Sequence, residues 1–137
     1  MKGTVLISVN EKDKKEIVDV AKSLNEMGFK ILATRGTKRF LAGHGIKSTS
    51  IKKVHEGRPN IVDAIHNREI QLIVNTPVGK RSKHDDSYIR KTAIRYKVPY
   101  ITTTAAARAA AEGIRAYLQA GEVVEVKSLQ EYHRDIT

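Results

Sequence analysis

Short runs of aliphatic and β-branched residues alternate with stretches whose apolar residues recur every three or four positions, from residue 4 almost to the end of the chain. Residues 4–9 hold Val5, Leu6, Ile7 and Val9, a near-continuous apolar run that suits a strand covered on both faces. A helix is expected next, with Ile17, Val20, Ala21, Leu24 and Met27 on one face and Gly28 as the left-handed residue that ends it. Further strands are expected at 29–33, 48–51, 70–74, 98–102 and 122–126. Between them fall a short helix on Phe40, Leu41 and Ala42 that ends at Gly43 or Gly45, and another on Ile61, Ala64 and Ile65. Asp85-Asp86 reads as the start of a helix carrying Ile89, Ala93 and Tyr96. An Ala-rich helix buries Ala107, Ala110, Ala111, Ile114, Tyr117 and Leu118 and ends near Gly121, and a terminal helix is expected over 128–134. Such alternation predicts an α/β fold of three layers, a mostly parallel sheet with helices on both faces. No repeat or long linker interrupts it, so the 137 residues read as one domain over 1–137.

Composition narrows the chemistry. Cysteine is absent, which excludes disulfides and thiolate metal sites and fits a reducing cytoplasm, the expected location. The apolar run at residues 4–9 is shorter than a signal-peptide core or a membrane span, and no membrane association is expected. A net charge of +10 serves solubility or attracts an anionic partner, and charge alone does not choose between nucleic acid, an anionic membrane and a phosphorylated small molecule. Lys80, Arg81, Lys83, Arg90, Lys91, Arg95 and Lys97 form a basic cluster. With 5% aromatic residues and no RNP-type stacking platform, nucleic acid is the less favoured partner. The cluster also reads as a helix face turned to solvent or to the rest of a larger enzyme.

Open parallel sheets bind ligands beyond the carboxyl ends of their strands, so the strand-to-helix turns carry the functional signal. The second turn reads Ala33-Thr34-Arg35-Gly36-Thr37, directly before a helical segment. A helix start offers unpaired N–H groups and the positive end of the dipole, Gly36 lets the backbone approach, and the Thr34 and Thr37 hydroxyls can donate. Thr37 capping its own helix is an equally good reading of the same residues. Lys14 follows the first strand and Lys53 the third. Taken singly each reads as a solvated helix-start or loop charge, but in a sheet wound this way both are expected on the rim that carries the threonine turn. Asn75, at the end of the fourth strand, suits a ribose or base edge, or simply a turn, and Ser8 is a similar case. Asp85 reads as a helix cap or a ligand contact. Neither G-x-G-x-x-G nor G-x-x-x-x-G-K-[ST] is present. His44, His55, His66, His84 and His133 show no metal-ligand spacing, and no residue stands out as a catalytic base.

Leu6-Ile7-Ser8-Val9 with Asp13-Lys14, the Ala33–Thr37 turn, Lys53-Val54-His55-Glu56-Gly57-Arg58-Pro59, Ile73-Val74-Asn75-Thr76, and Ile89-Arg90 with Tyr96-Lys97-Val98 together resemble the methylglyoxal-synthase-like domain family. The likeness is narrower to the version at the C-terminus of the carbamoyl-phosphate synthetase large subunit, and it extends through 124–133. That resemblance implies a regulatory domain that binds UMP as inhibitor and IMP as activator and helps to form an ornithine site. Its partners would be the rest of the large subunit and the glutaminase small subunit. The domain itself would need no cofactor, while the parent enzyme would use ATP and Mg. By the same resemblance the phosphate rests on Lys14, Thr34, Thr37 and Lys53 near Gly36. Ser8, Asn75 and Asp85 face the nucleoside, Ile61 and Ile89 line its pocket, and Thr102 falls on the ornithine side. Pro77 and Val78 stand where some relatives carry hydroxyl residues, which leaves the choice between UMP and IMP open.

The enzymes of the family eliminate phosphate from dihydroxyacetone phosphate and look to use an Asp base after a glycine pair in the loop that holds Lys53. Here that loop reads Gly57-Arg58-Pro59-Asn60, with no carboxylate. Losing a general base costs typically ~10²–10⁴-fold. An effector domain is therefore expected ahead of a phosphate lyase.

Overall fold

The computed structural model describes residues 3–77 and 83–120. Five parallel strands, β1 (Thr4–Ser8), β2 (Lys30–Ala33), β3 (Thr49–Ser50), β4 (Leu72–Asn75) and β5 (Tyr100–Ile101), lie in the order β3-β2-β1-β4-β5. Helices α1 (Lys14–Glu26), α2 (Arg35–Ala42), α3 (Ile61–His66), α4 (Lys83–Arg95) and α5 (Thr104–Gln119) connect or follow them. The expected strand at 122–126 and helix at 128–134 lie outside the described residues.

The apolar runs divide by parity, as a two-sided sheet requires. Val5, Ile7, Ile31, Ala33, Leu72 and Val74 face a core shared with α1 and α5, whereas Leu6, Leu32 and Ile73 face a second core built with α3 and α4. On α5, Ala107, Ala110, Ala111 and Ile114 are buried, with Tyr117 and Leu118 partly buried beside them. The small alanine face lets α5 sit against α1. Thr104 Oγ1 donates to Glu16 at 2.6 Å, and Arg115 donates to Ser23 at 2.8 Å along the same seam.

Helix ends follow local chemistry. Gly28 takes φ +96 after α1, where its N–H reaches Asn25 O and the Phe29 N–H reaches Leu24 O. Asn60 caps α3 by accepting from the Val62 N–H at 2.9 Å, and Asp63 returns the favour by accepting from the Asn60 N–H at 2.8 Å. Three expectations shift. Helix α2 begins at Arg35, so Gly36 and Thr37 lie inside its first turn and Thr34, not Thr37, takes the cap position. Helix α4 begins at Lys83, which places Asp85 and Asp86 in its first turn rather than at its start. Strands β3 and β5 are two residues each, because only those residues find a ladder partner at the sheet edges.

Candidate functional site

All five strands run the same way, so their carboxyl ends share one rim. The strand order reverses direction between β1 and β4, and a crevice opens where connections diverge at such a point. Ser8 and Asn75, the last residues of β1 and β4, are register partners there. The loop leaving β1 is held in place by Thr76, whose N–H donates to Ser8 O and whose Oγ1 accepts from the Asn10 N–H at 2.9 Å. Asn10 in turn caps a 3-10 turn at Glu11–Asp13, which delivers Lys14 to the rim as the first residue of α1.

Lys14 is buried to 9% exposure, unusual for an ammonium. Its partner is the exposed carboxylate of Glu11. The ammonium lies against Gly36, 3.2 Å from where a Cβ on that residue would stand. Thr34 and Thr37 are 2% and 1% exposed, which turns their hydroxyls into fixed groups. The Thr34 hydroxyl donates to Ser8 Oγ at 3.1 Å or to Thr37 Oγ1 at 3.4 Å. Thr37 Oγ1 accepts from the Val9 N–H at 3.2 Å, which keeps its own hydrogen available for a further acceptor. The first intrahelical bond of α2 runs from the Lys38 N–H to Thr34 O at 2.8 Å, and no described group accepts from the N–H groups of Arg35, Gly36 and Thr37. A buried cation, a helix start with open donors and a free hydroxyl hydrogen thus meet at the end of β2, an arrangement suited to an anion's oxygens.

Lys53 reaches the same rim from the loop after β3. It lines a narrow cavity with Ser8, Ile61, Asn75, Asp85, Asp86 and Ile89. The cavity joins the anion turn through the Ser8–Thr34 contact. Its volume is about 10 Å³, close to the least that one water needs, so in this conformation a nucleoside does not fit. The Lys53 loop is fixed by Glu56, which accepts from the Lys53 N–H at 2.7 Å and approaches Arg35 to 4.0 Å. Asp85 accepts from both the backbone N–H of His55, at 3.2 Å, and its ring Nδ1, at 2.7 Å, closing the cavity wall between this loop and α4.

The structure therefore brings together Lys14, Thr34, Gly36 and Thr37 as one group, and Ser8, Lys53, Ile61, Asn75, Asp85 and Ile89 as a second that adjoins it. Thr102 is exposed just after β5 and does not line the cavity. Within the basic cluster, Arg90, Lys91 and Arg95 are exposed on α4 and Lys97 just beyond it, while Lys80 and Arg81 lie outside the described residues. Sequence reasoning gave no site role to Glu11, Tyr100 or Asp86, the last of which reads only as a helix start. Tyr100 was reachable, because it opens β5, the strand that pairs with β4, which Asn75 ends. Its phenol pKa is raised, chiefly by burial, with the Asn75 hydrogen bond pulling the other way.

The family model of the MGS-like domain matches residues 16–102, more than half of the chain, and the chain belongs to that family. The carbamoyl phosphate synthase large chain, C-terminal section, of Methanopyrus kandleri is 48% identical over 135 residues, covering 98% of this chain and 24% of its own length. The carbamoyl phosphate synthase large chain of Methanosarcina barkeri is 46% identical over 134 residues, covering 98% of this chain and 33% of the relative. This chain thus spans a third or less of the length of these curated relatives. A methylglyoxal synthase from Elizabethkingia anophelis NUHP1 shares the fold, with a TM-score of 0.62 at 13% identity over 76% of this chain and 73% of that one. Among the described residues no helix is long and apolar enough to cross a membrane.

Proposed function

We propose that this domain is the allosteric effector unit of a carbamoyl-phosphate synthetase large subunit and binds nucleoside monophosphates. The observation that carries the reading is the buried Lys14 ammonium beside Gly36 at the open start of α2. The effector's phosphate rests on Lys14, Thr34, Gly36 and Thr37, with Lys53 closing from the other side. Its nucleoside extends over Ser8 toward Asn75, Ile61 and Ile89, near Asp85. UMP inhibits and IMP activates by favouring different states of the parent enzyme. That enzyme would act in the cytoplasm with its glutaminase subunit, consume ATP with Mg, and supply pyrimidine and arginine synthesis. Thr102, exposed on the same rim, would face ornithine at a junction with the neighbouring synthetase domain.

The cavity is narrow, so on this reading binding widens it, and the contact between His55 and Asp85 spans its wall at the exposed side. Phosphate elimination is the weaker reading. Glu56 is occupied as the cap of its own loop, and the stretch from Gly57 to Asn60 carries no carboxylate. Calorimetry on the chain with UMP, IMP and inorganic phosphate tests the proposal. All three should bind, Lys53→Ala should weaken each, and dihydroxyacetone phosphate should yield no methylglyoxal. Silence from every ligand at millimolar concentration would overturn effector binding, and methylglyoxal turnover would replace it with the lyase.

A further inference from the structure

Asn75 is 4% exposed, and its amide nitrogen has two partners: Asp86 Oδ1 at 3.1 Å and the Tyr100 hydroxyl at 2.7 Å. An ionised carboxylate accepts hydrogen bonds and donates none. The atom facing Asp86 must therefore be the NH2 of Asn75, which settles an orientation that atomic positions alone leave as an assignment. The second amide hydrogen goes to the Tyr100 oxygen. Both donors of Asn75 are then in use, and what it retains is the carbonyl Oδ1, an acceptor. No described residue donates to that oxygen. Among the described residues the one fully enclosed side-chain polar atom without a partner is Ser48 Oγ, so Asn75 Oδ1 keeps an opening beside the cavity that the residue lines.

Strand spacing locates this acceptor. Asn75 ends β4, Thr34 follows β2, and β1 lies between them, so the two are separated by two strand spacings, about 10 Å. An anion held at Thr34 thus leaves room for a sugar-sized link before Asn75 is reached.

We infer that Asn75 selects ligands that present a hydrogen-bond donor at this distance from their phosphate, and that Asp86 and Tyr100 are positioning residues that impose this polarity. The inference rests on the effector reading of the same site. The donor belongs to the ribose 2′-hydroxyl or to a base N–H, and either meets the same lone pairs. A ligand that offers only an acceptor there faces Oδ1 lone pair to lone pair, and Asn75 cannot turn over without placing its carbonyl against the Asp86 carboxylate.

The test is calorimetry on the full chain with inorganic phosphate, UMP, CMP and 2′-deoxy-UMP. CMP replaces the ring N3–H of UMP by an acceptor, and the deoxy compound lacks one sugar hydroxyl. One of these two should bind about tenfold more weakly than UMP, and which one does identifies the donor. Asp86→Asn frees the amide to turn and should shrink that ratio to about threefold or less, while phosphate affinity holds within about twofold. Tyr100→Phe, the gentler change, should shrink it part of the way. Equal binding of all three nucleotides, or a full ratio retained in both variants, overturns the inference. A chain that binds phosphate but no nucleotide overturns it too and leaves the anion grip standing, whereas failure to bind phosphate defeats the effector reading itself.

Discussion

The ammonium of Lys14, at the start of one helix, occupies the space that a side chain at position 36 would fill in the next, 3.2 Å from the missing Cβ. Gly36 sits in the first turn of α2 without a positive φ, so its value there is space rather than backbone freedom. Gly36→Ala should therefore separate two properties. The helix gains a better former, worth up to ~1 kcal/mol, and the melting temperature should hold or rise. Lys14 must swing aside, which its flexible end allows, and phosphate affinity should fall by about tenfold. Thermal melts paired with phosphate titrations check both; an alanine variant that binds as well as the parent would remove Lys14 from the anion site.

Glu11 holds the Lys14 ammonium while its own side chain is 87% exposed. An arriving anion has to share or displace that carboxylate. Glu11→Gln should tighten phosphate binding about two- to fivefold at low salt, and the advantage should fade as salt screens the exposed charge. Titrations at two ionic strengths measure it.

The His55–Asp85 contact bridges the cavity wall on its exposed side. If nucleotide binding parts these residues, His55→Ala should raise nucleotide affinity about two- to fivefold and leave phosphate affinity unchanged, because the proposed phosphate group at Thr34, Gly36 and Thr37 adjoins this cavity only across the Ser8–Thr34 contact. Weaker nucleotide binding in this variant would place His55 among the ligand contacts instead.

Acid should loosen α3 through Asp63. Its carboxylate accepts from Arg58 and from the Asn60 N–H, and these hold its pKa below the ordinary 3.8, Arg58 contributing most. A depressed folded-state value means that the charge stabilises the fold above the unfolded pKa, and that this support is lost as pH falls through the folded one. The melting temperature of the parent should exceed that of Asp63→Asn near neutral pH, and the difference should vanish well below pH 3.8. Since α3 carries Ile61 into the cavity, nucleotide binding should weaken over the same window.

Much of the architecture was legible because its causes are local. Alternating apolar parity in β1, β2 and β4 needs covering layers on both sides, the spacing in α1 and α5 fixes which faces those helices bury, and Gly28 marks a stop by its backbone alone. The threonine turn and the two lysines were legible as rim residues, since the ends of parallel strands must come together. The start of α2 was misplaced because Gly36 reads as a turn residue, and its reason for being glycine is a lysine more than twenty positions earlier in the chain.

What the chain's order of residues settles by itself is the parallel sheet, its two apolar faces and the rim that carries the polar groups, because periodicity and turn chemistry act over a few residues. Which way Asn75 points, what occupies Asp85, and that Lys14 is buried against Gly36 were decided only in three dimensions. Each depends on a partner brought close by the crossing of strands, Asp86 and Tyr100 for the first, His55 for the second, α2 for the third. Hydrogen bonds and burial act over a few ångströms of space, and no spacing along the chain encodes that proximity.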